Sequence, residues 1–232
     1  GLGNYAMPLI SAGAFLRKDK KYLLNAYGNY LSSKGSIANQ QYSKIDLKTT
    51  GSYYLNNHEA YGSVAVSQSN FHLYGYDHNI YKYSKQDVLQ QLNEFDLKLG
   101  IRNTGENAFK INYDPSIRFN YFTTKDQVSE LGFNISVDAD RRINNFFKLK
   151  ASAFFDATSV SVKNGLQNRF SNNISQFSPS LVYETSVYKI NGGINAIWNN
   201  GYLVCLPNLY GELYLNNFPF IFQAGFVSKI DK

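Results

Sequence analysis

The stretch Phe95-Asp96-Leu97-Lys98-Leu99-Gly100-Ile101-Arg102 alternates without a break. Phe95, Leu97, Leu99 and Ile101 share one side of an extended chain; Asp96, Lys98, Gly100 and Arg102 share the other. Successive side chains of a strand point to opposite faces, so this period of two describes a strand with one apolar and one wet face. Residues 131–140 repeat it, with Leu131, Phe133, Ile135, Val137 and Ala139 opposing Gly132, Asn134, Ser136, Asp138 and Asp140. Residues 147–156 do so again, with Phe147, Leu149, Ala151, Ala153 and Phe155 opposing Lys148, Lys150, Ser152 and Asp156. About twelve such segments run from near Leu9 to Val227. Many exceed ten residues, the length that a tilted membrane strand needs.

The composition agrees. Tyr and Phe number 19 and 17 of 232 residues, against 5 Pro, and such side chains pack well on a pleated surface. No apolar run is long enough for a membrane helix. The net charge of +6 is spread along the chain and interleaved with acids, which reads as wet strand faces and loops, with no nucleic-acid patch. Nothing in the composition divides the chain, so residues 1–232 are expected to form one unit, with no plug domain visible. The sequence begins Gly1-Leu2-Gly3-Asn4, without an initiator Met or signal peptide, and is read as mature, trimmed or excerpted.

The connections sharpen the reading. Short ones are expected at 18–20, 56–58, 103–107, 142–145, near Lys189 and at 216–217. Longer polar ones are expected at 32–41, 70–92, 123–130, 159–173 and 199–208. Short and long take turns, as in an up-and-down barrel with tight turns at one rim and loops at the other. Aromatics crowd the strand ends near the short turns: Tyr22, Tyr53, Tyr61, Phe109, Phe146, Phe147, Tyr188 and Phe218. Such rings suit the interface between headgroups and hydrocarbon. Residues 84–92 carry one or two helical turns inside the longest loop. The fold class is therefore all-β: an antiparallel up-and-down transmembrane β-barrel of about twelve strands, here whole or as part of a larger barrel. A soluble two-sheet sandwich alternates its faces in the same way and stays open as an alternative.

The run Leu2-Gly3-Asn4-Tyr5 with Pro8-Leu9, the run Tyr27-Gly28-Asn29-Tyr30-Leu31-Ser32-Ser33-Lys34-Gly35, the segment from Asn57-His58 to Phe71-His72-Leu73-Tyr74-Gly75, and Ile111-Asn112-Tyr113-Asp114-Pro115 resemble TonB-dependent-receptor-like outer-membrane proteins of the Bacteroidetes type. The likeness spreads over the first two thirds of the chain. It implies a larger barrel in the cell outer membrane, with transport as its work. Receptors of that type carry a plug and a TonB-contact segment, and neither is visible in these residues. A plugless porin or a structural subunit of an envelope complex, with a plug or lipoprotein partner, stay beside the receptor reading.

The expected lumen-facing residues are Asp96, Lys98, Arg102, Arg118, Asp138, Asp140, Lys148, Lys150, Asp156 and Glu184. Mixed charges facing inward suit a water-filled lumen or a wall packed on a plug. Phe71, Tyr74, Tyr76, Tyr81 and Tyr83 form an aromatic loop suited to sugar or protein contacts. No nucleophile elbow, Walker loop or zinc-protease helix appears, so no enzyme is expected. His72 and His78, six apart in a loop with Asp77 between them, lack fixed metal geometry, and no cofactor is expected. Cys205 stands alone and excludes an internal disulfide.

Overall fold

Alternating residues commit the backbone to extension, and antiparallel neighbours then satisfy its amide and carbonyl groups. The computed structural model describes residues 7–19, 21–126, 128–164, 166–215 and 220–228. Twelve described strands form one sheet in strict chain order. They are β1 (Leu9–Lys18), β2 (Tyr22–Lys34), β3 (Gln41–Leu55), β4 (His58–His72), β5 (Leu89–Asn103), β6 (Ile111–Thr124), β7 (Val128–Arg142), β8 (Phe147–Asn164), β9 (Leu166–Glu184), β10 (Tyr188–Asn199), β11 (Tyr202–Tyr214) and β12 (Ile221–Val227). Every adjacent pair is antiparallel, and β1 does not pair with β12. No second sheet packs on the first among the described residues, which removes the sandwich alternative.

Residues directly opposite each other in antiparallel strands share a face. Lys98 lies opposite Arg118, Arg118 opposite Asn134, and Asn134 opposite Asp156. Following that register round the sheet, every Asp and Glu of the described strands falls on one face. The other face carries an apolar band. On β7 it is Leu131, Phe133, Ile135, Val137 and Ala139, and the first four are 37–43% exposed although apolar. At about 3.3 Å per residue and a tilt of about 40°, that run spans about 20–25 Å, the height of the lipid-facing band of a membrane barrel.

The connections after β1, β3, β5, β7 and β9 lie at one rim, here the girdle rim. Tyr22 and Tyr53 are 4.9 Å apart there, and Tyr183 gathers Phe147 at 5.0 Å, Tyr188 at 5.7 Å and Phe146 at 6.2 Å. Tyr61 does not join them: opposite Ser52 and Gly100, it lies on the charged face. Phe218 and the connection at 216–217 fall outside the described residues.

The expected rhythm of connections fails at the other rim, the loop rim. Residues 35–40 and 73–88 are real loops, the second holding one helical turn, α1 (Lys85–Val88). Residues 128–130, 159–164 and 166–173, expected in loops, belong to strands. Residues 202–208 also belong to a strand, because Asn200 (φ 47°) and Gly201 (φ 93°) close the β10–β11 hairpin in two residues. Two successive positive φ values make the turn whose twist matches a hairpin, and Asn-Gly is its preferred pair. Conversely, the connection expected at 103–107 occupies residues 104–110.

Candidate functional site: the charged face

All ten residues expected to face a lumen lie on the charged face. The structure gathers seven of them into two clefts. The larger, about 660 Å³, brings Asp96, Arg118 and Asp156 together with Glu94, Asn134 and Thr158. Arg118 Nε lies 2.5 Å from Asp96 Oδ2, and the Thr158 hydroxyl donates to Asp156 at 3.0 Å. Asp156 is 3% exposed. The second cleft, about 390 Å³, brings Arg102, Asp138, Asp140 and Lys150 together with Asp114 and Ser152. Ser152 donates to Asp138 at 2.5 Å, and Asn112 donates to Asp140 at 3.0 Å.

Lys148 pairs with Asp140 at 2.9 Å, and Glu184 pairs with Arg142 at 3.7 Å. Lys98 stands over the ring of Tyr61, 5.6 Å from its centroid. All six ion pairs of the described residues lie on this face. In four of the six, opposite charges meet across neighbouring strands, which helps fix register and leaves a wet, nearly neutral wall.

The sequence reading missed a buried acid of this wall. Glu59 is 4% exposed in its side chain and takes Arg102 Nη2 at 2.7 Å and Nε at 2.8 Å. Tyr61, two residues on, donates its hydroxyl to Asp114 at 2.5 Å, and Arg102 lies 5.4 Å from its ring centroid. The parity of residues 58–66 held the signal: Ala60, Gly62, Val64 and Val66 occupy the apolar side, so Glu59 and Tyr61 must occupy the other. A second missed node is Glu212, which accepts from Tyr210 at 2.6 Å, Gln223 at 3.3 Å and the Tyr214 hydroxyl, and lies 3.6 Å from Lys189.

The aromatic loop is partly assembled. Tyr76 meets Tyr83 edge-on at 5.0 Å, and Tyr81 stacks on Tyr83 at 5.9 Å with planes 6° apart. Asn39, from the neighbouring loop, donates to the Tyr76 hydroxyl at 2.8 Å. Tyr74 is exposed. Phe71 is not in the loop; it pairs in the sheet, opposite Tyr42 and Gln90. His72 and His78 are bound separately to backbone, at Gln41 and Tyr74.

Comparison places this architecture. The siderophore receptor PirA from Pseudomonas aeruginosa superposes on 95% of this chain with a TM-score of 0.72, at 11% sequence identity. The fold is that of part of a siderophore-receptor barrel. The match spans 41% of the PirA chain, so the twelve strands correspond to less than half of that protein's length. The ferric yersiniabactin uptake receptor FyuA from Yersinia pestis gives a TM-score of 0.47 over 97% of this chain and 53% of its own, at 10% identity. No family model and no curated protein matches the sequence.

Proposed function

We propose that residues 1–232 form one continuous stretch of the wall of an outer-membrane transport barrel, receptor-like or porin-like, with the charged face turned to the lumen. The observation that carries this reading is the segregation of charge: the acids of the described strands lie on one face, and an apolar band covers the other. A soluble sheet hides its apolar face against a second layer, whereas a membrane barrel leaves it to lipid and keeps the wet face inside. The PirA-like fold supports the same reading. The solute passes along, or binds to, the clefts that hold Asp96, Arg118 and Asp156 and that hold Arg102, Asp138, Asp140 and Lys150.

The test is fractionation of the full-length gene product expressed with its own signal, followed by solute flux in reconstituted vesicles. Recovery in the outer membrane, with a folded gel band that shifts on boiling and solute uptake into vesicles, is the expected result. Recovery in the soluble fraction overturns the barrel; an inserted barrel that passes no solute overturns transport.

A second reading, a structural subunit of an envelope complex, is favoured by the aromatic cluster at Tyr74, Tyr76, Tyr81 and Tyr83. It predicts co-purification of a partner under mild detergent extraction, lost on replacing Tyr74, Tyr81 and Tyr83 with Ser.

A further inference from the structure

The apolar face also carries a few charges, and they are all of one sign. Among the described strands, the charged residues of that face are Lys18, Lys34, Arg141, Lys163 and Arg169. No acid accompanies them on that face, whereas the other face alternates both signs and pairs them. A negatively charged environment separates the signs in this way, because it repels outward carboxylates and attracts outward cations.

Lys18 and Arg141 are placed to use that attraction. Lys18 follows Ile10, Ala12, Ala14 and Leu16 along the apolar side of β1, and Arg141 follows Val137 and Ala139 along that of β7. Each is therefore the first residue past the apolar band, at the level of the aromatic girdle; Lys18 lies directly opposite Tyr22. Both are exposed, and neither has an ion pair among the described residues. A cation at this height, with its stem along apolar surface and its head free, meets the headgroup layer of a bilayer.

We propose that the girdle rim binds the phosphates of anionic phospholipids through Lys18 and Arg141. The proposal rests on the reading that the apolar face meets lipid. It adds that the surrounding leaflet is selected for charge, with headgroup phosphates as the missing partners of these two cations. A phosphate offers Arg141 a two-pronged acceptor and offers Lys18 a point charge. Each basic residue near an anionic surface strengthens association about fivefold, and Lys18 on β1 and Arg141 on β7, six strands apart, act as two separate sites.

The experiment uses the full-length gene product inserted into vesicles of phosphatidylcholine alone or of phosphatidylcholine with phosphatidylglycerol. Lipid retained by the detergent-extracted barrel is then weighed by native mass spectrometry. The wild type is expected to retain phosphatidylglycerol over phosphatidylcholine by about fivefold at each of the two sites, less so at high salt. The double variant Lys18→Gln, Arg141→Gln is expected to lose that enrichment while inserting normally, and Lys163→Gln, on the far rim, is expected to keep it. Insertion without enrichment, or enrichment that survives the double variant, overturns the proposal alone. Inorganic phosphate that displaces the retained lipid at matched ionic strength marks a free-phosphate site and also overturns it. Failure to insert into either vesicle overturns the barrel reading together with it.

Discussion

Tyr61 lies across Gly100 on the neighbouring strand, so that a Cβ added at Gly100 would stand 2.4 Å from the ring's Cζ. The ring cannot swing clear cheaply. Its hydroxyl is tied to Asp114 at 2.5 Å, and Lys98 and Arg102 stand 5.6 and 5.4 Å from its centroid. Gly100→Ala is therefore expected to lower the unfolding free energy by about 1–3 kcal/mol. Tyr61→Phe keeps the ring over the glycine and is expected to cost only about 1 kcal/mol. Urea titrations of the refolded barrel measure both, and a neutral Gly100→Ala would show that the ring is not held.

Arg102 guards a buried carboxylate. Removing it as Arg102→Ala leaves Glu59 enclosed without its cation, at an expected cost of about 2–3 kcal/mol. The double variant Glu59→Gln, Arg102→Ala is expected to recover much of that loss, because the stranded charge has gone. A double-mutant cycle reads the coupling; strict additivity would mean that the two groups act independently.

The two faces must respond differently to charge. Ile135, at the middle of the apolar band of β7, is expected to cost about 2–4 kcal/mol when replaced by Arg. Asn134, its neighbour on the charged face, is expected to tolerate Arg with far less loss. Folding titrations in lipid vesicles compare the two, and equal costs would remove the distinction between the faces.

The loop between β4 and β5 carries a pH-sensitive clasp. Ser84 N–H donates to Asp87 at 2.8 Å, and Asp87 N–H donates back to the Ser84 hydroxyl at 3.4 Å. The Ser84 hydroxyl first, and its backbone N–H next, hold the Asp87 carboxyl below its ordinary value of 3.8. A carboxyl depressed in the folded state stabilises it above the unfolded pKa, and that contribution disappears as pH falls through the folded pKa. Amide protection across residues 84–88, measured against the intrinsic exchange rate at each pH, is therefore expected to fall below about pH 4 in the wild type. In Asp87→Asn it is expected to be low throughout, and protection independent of pH in the wild type would discard the clasp.

The faces of the strands were legible because a period of two survives wherever one side is apolar and the other wet. Leu131 to Asp140 could be read residue by residue. That signal fades beyond the apolar band, where both faces are polar: Ser171, Asn172 and Asn173 read as loop yet pair with β8. The Asn200-Gly201 turn was legible in principle and was overridden by the expectation of a long connection. Glu59 and Tyr61 were missed for a different reason. An aromatic near a turn was read as girdle, although its parity with Val64 and Val66 placed it on the charged side. The pairing partners of Asp96, Asp138 and Asp140 lie on neighbouring strands, so a face can be read along one strand while its contacts need the register between strands.

The absence of a β1–β12 pairing leaves two rows of backbone donors and acceptors along the borders of the sheet. In hydrocarbon each unmet group costs several kcal/mol, so these borders behave as cohesive ends. A twelve-stranded piece cut out and refolded by itself would seek any strand at hand, its own copies included, and join border to border into filaments or misregistered rings. In the barrel proposed above, any strand that pairs with β1 or β12 would therefore act as a chaperone of the edge, and the order in which those two seams are sealed would govern whether the sheet closes or polymerises.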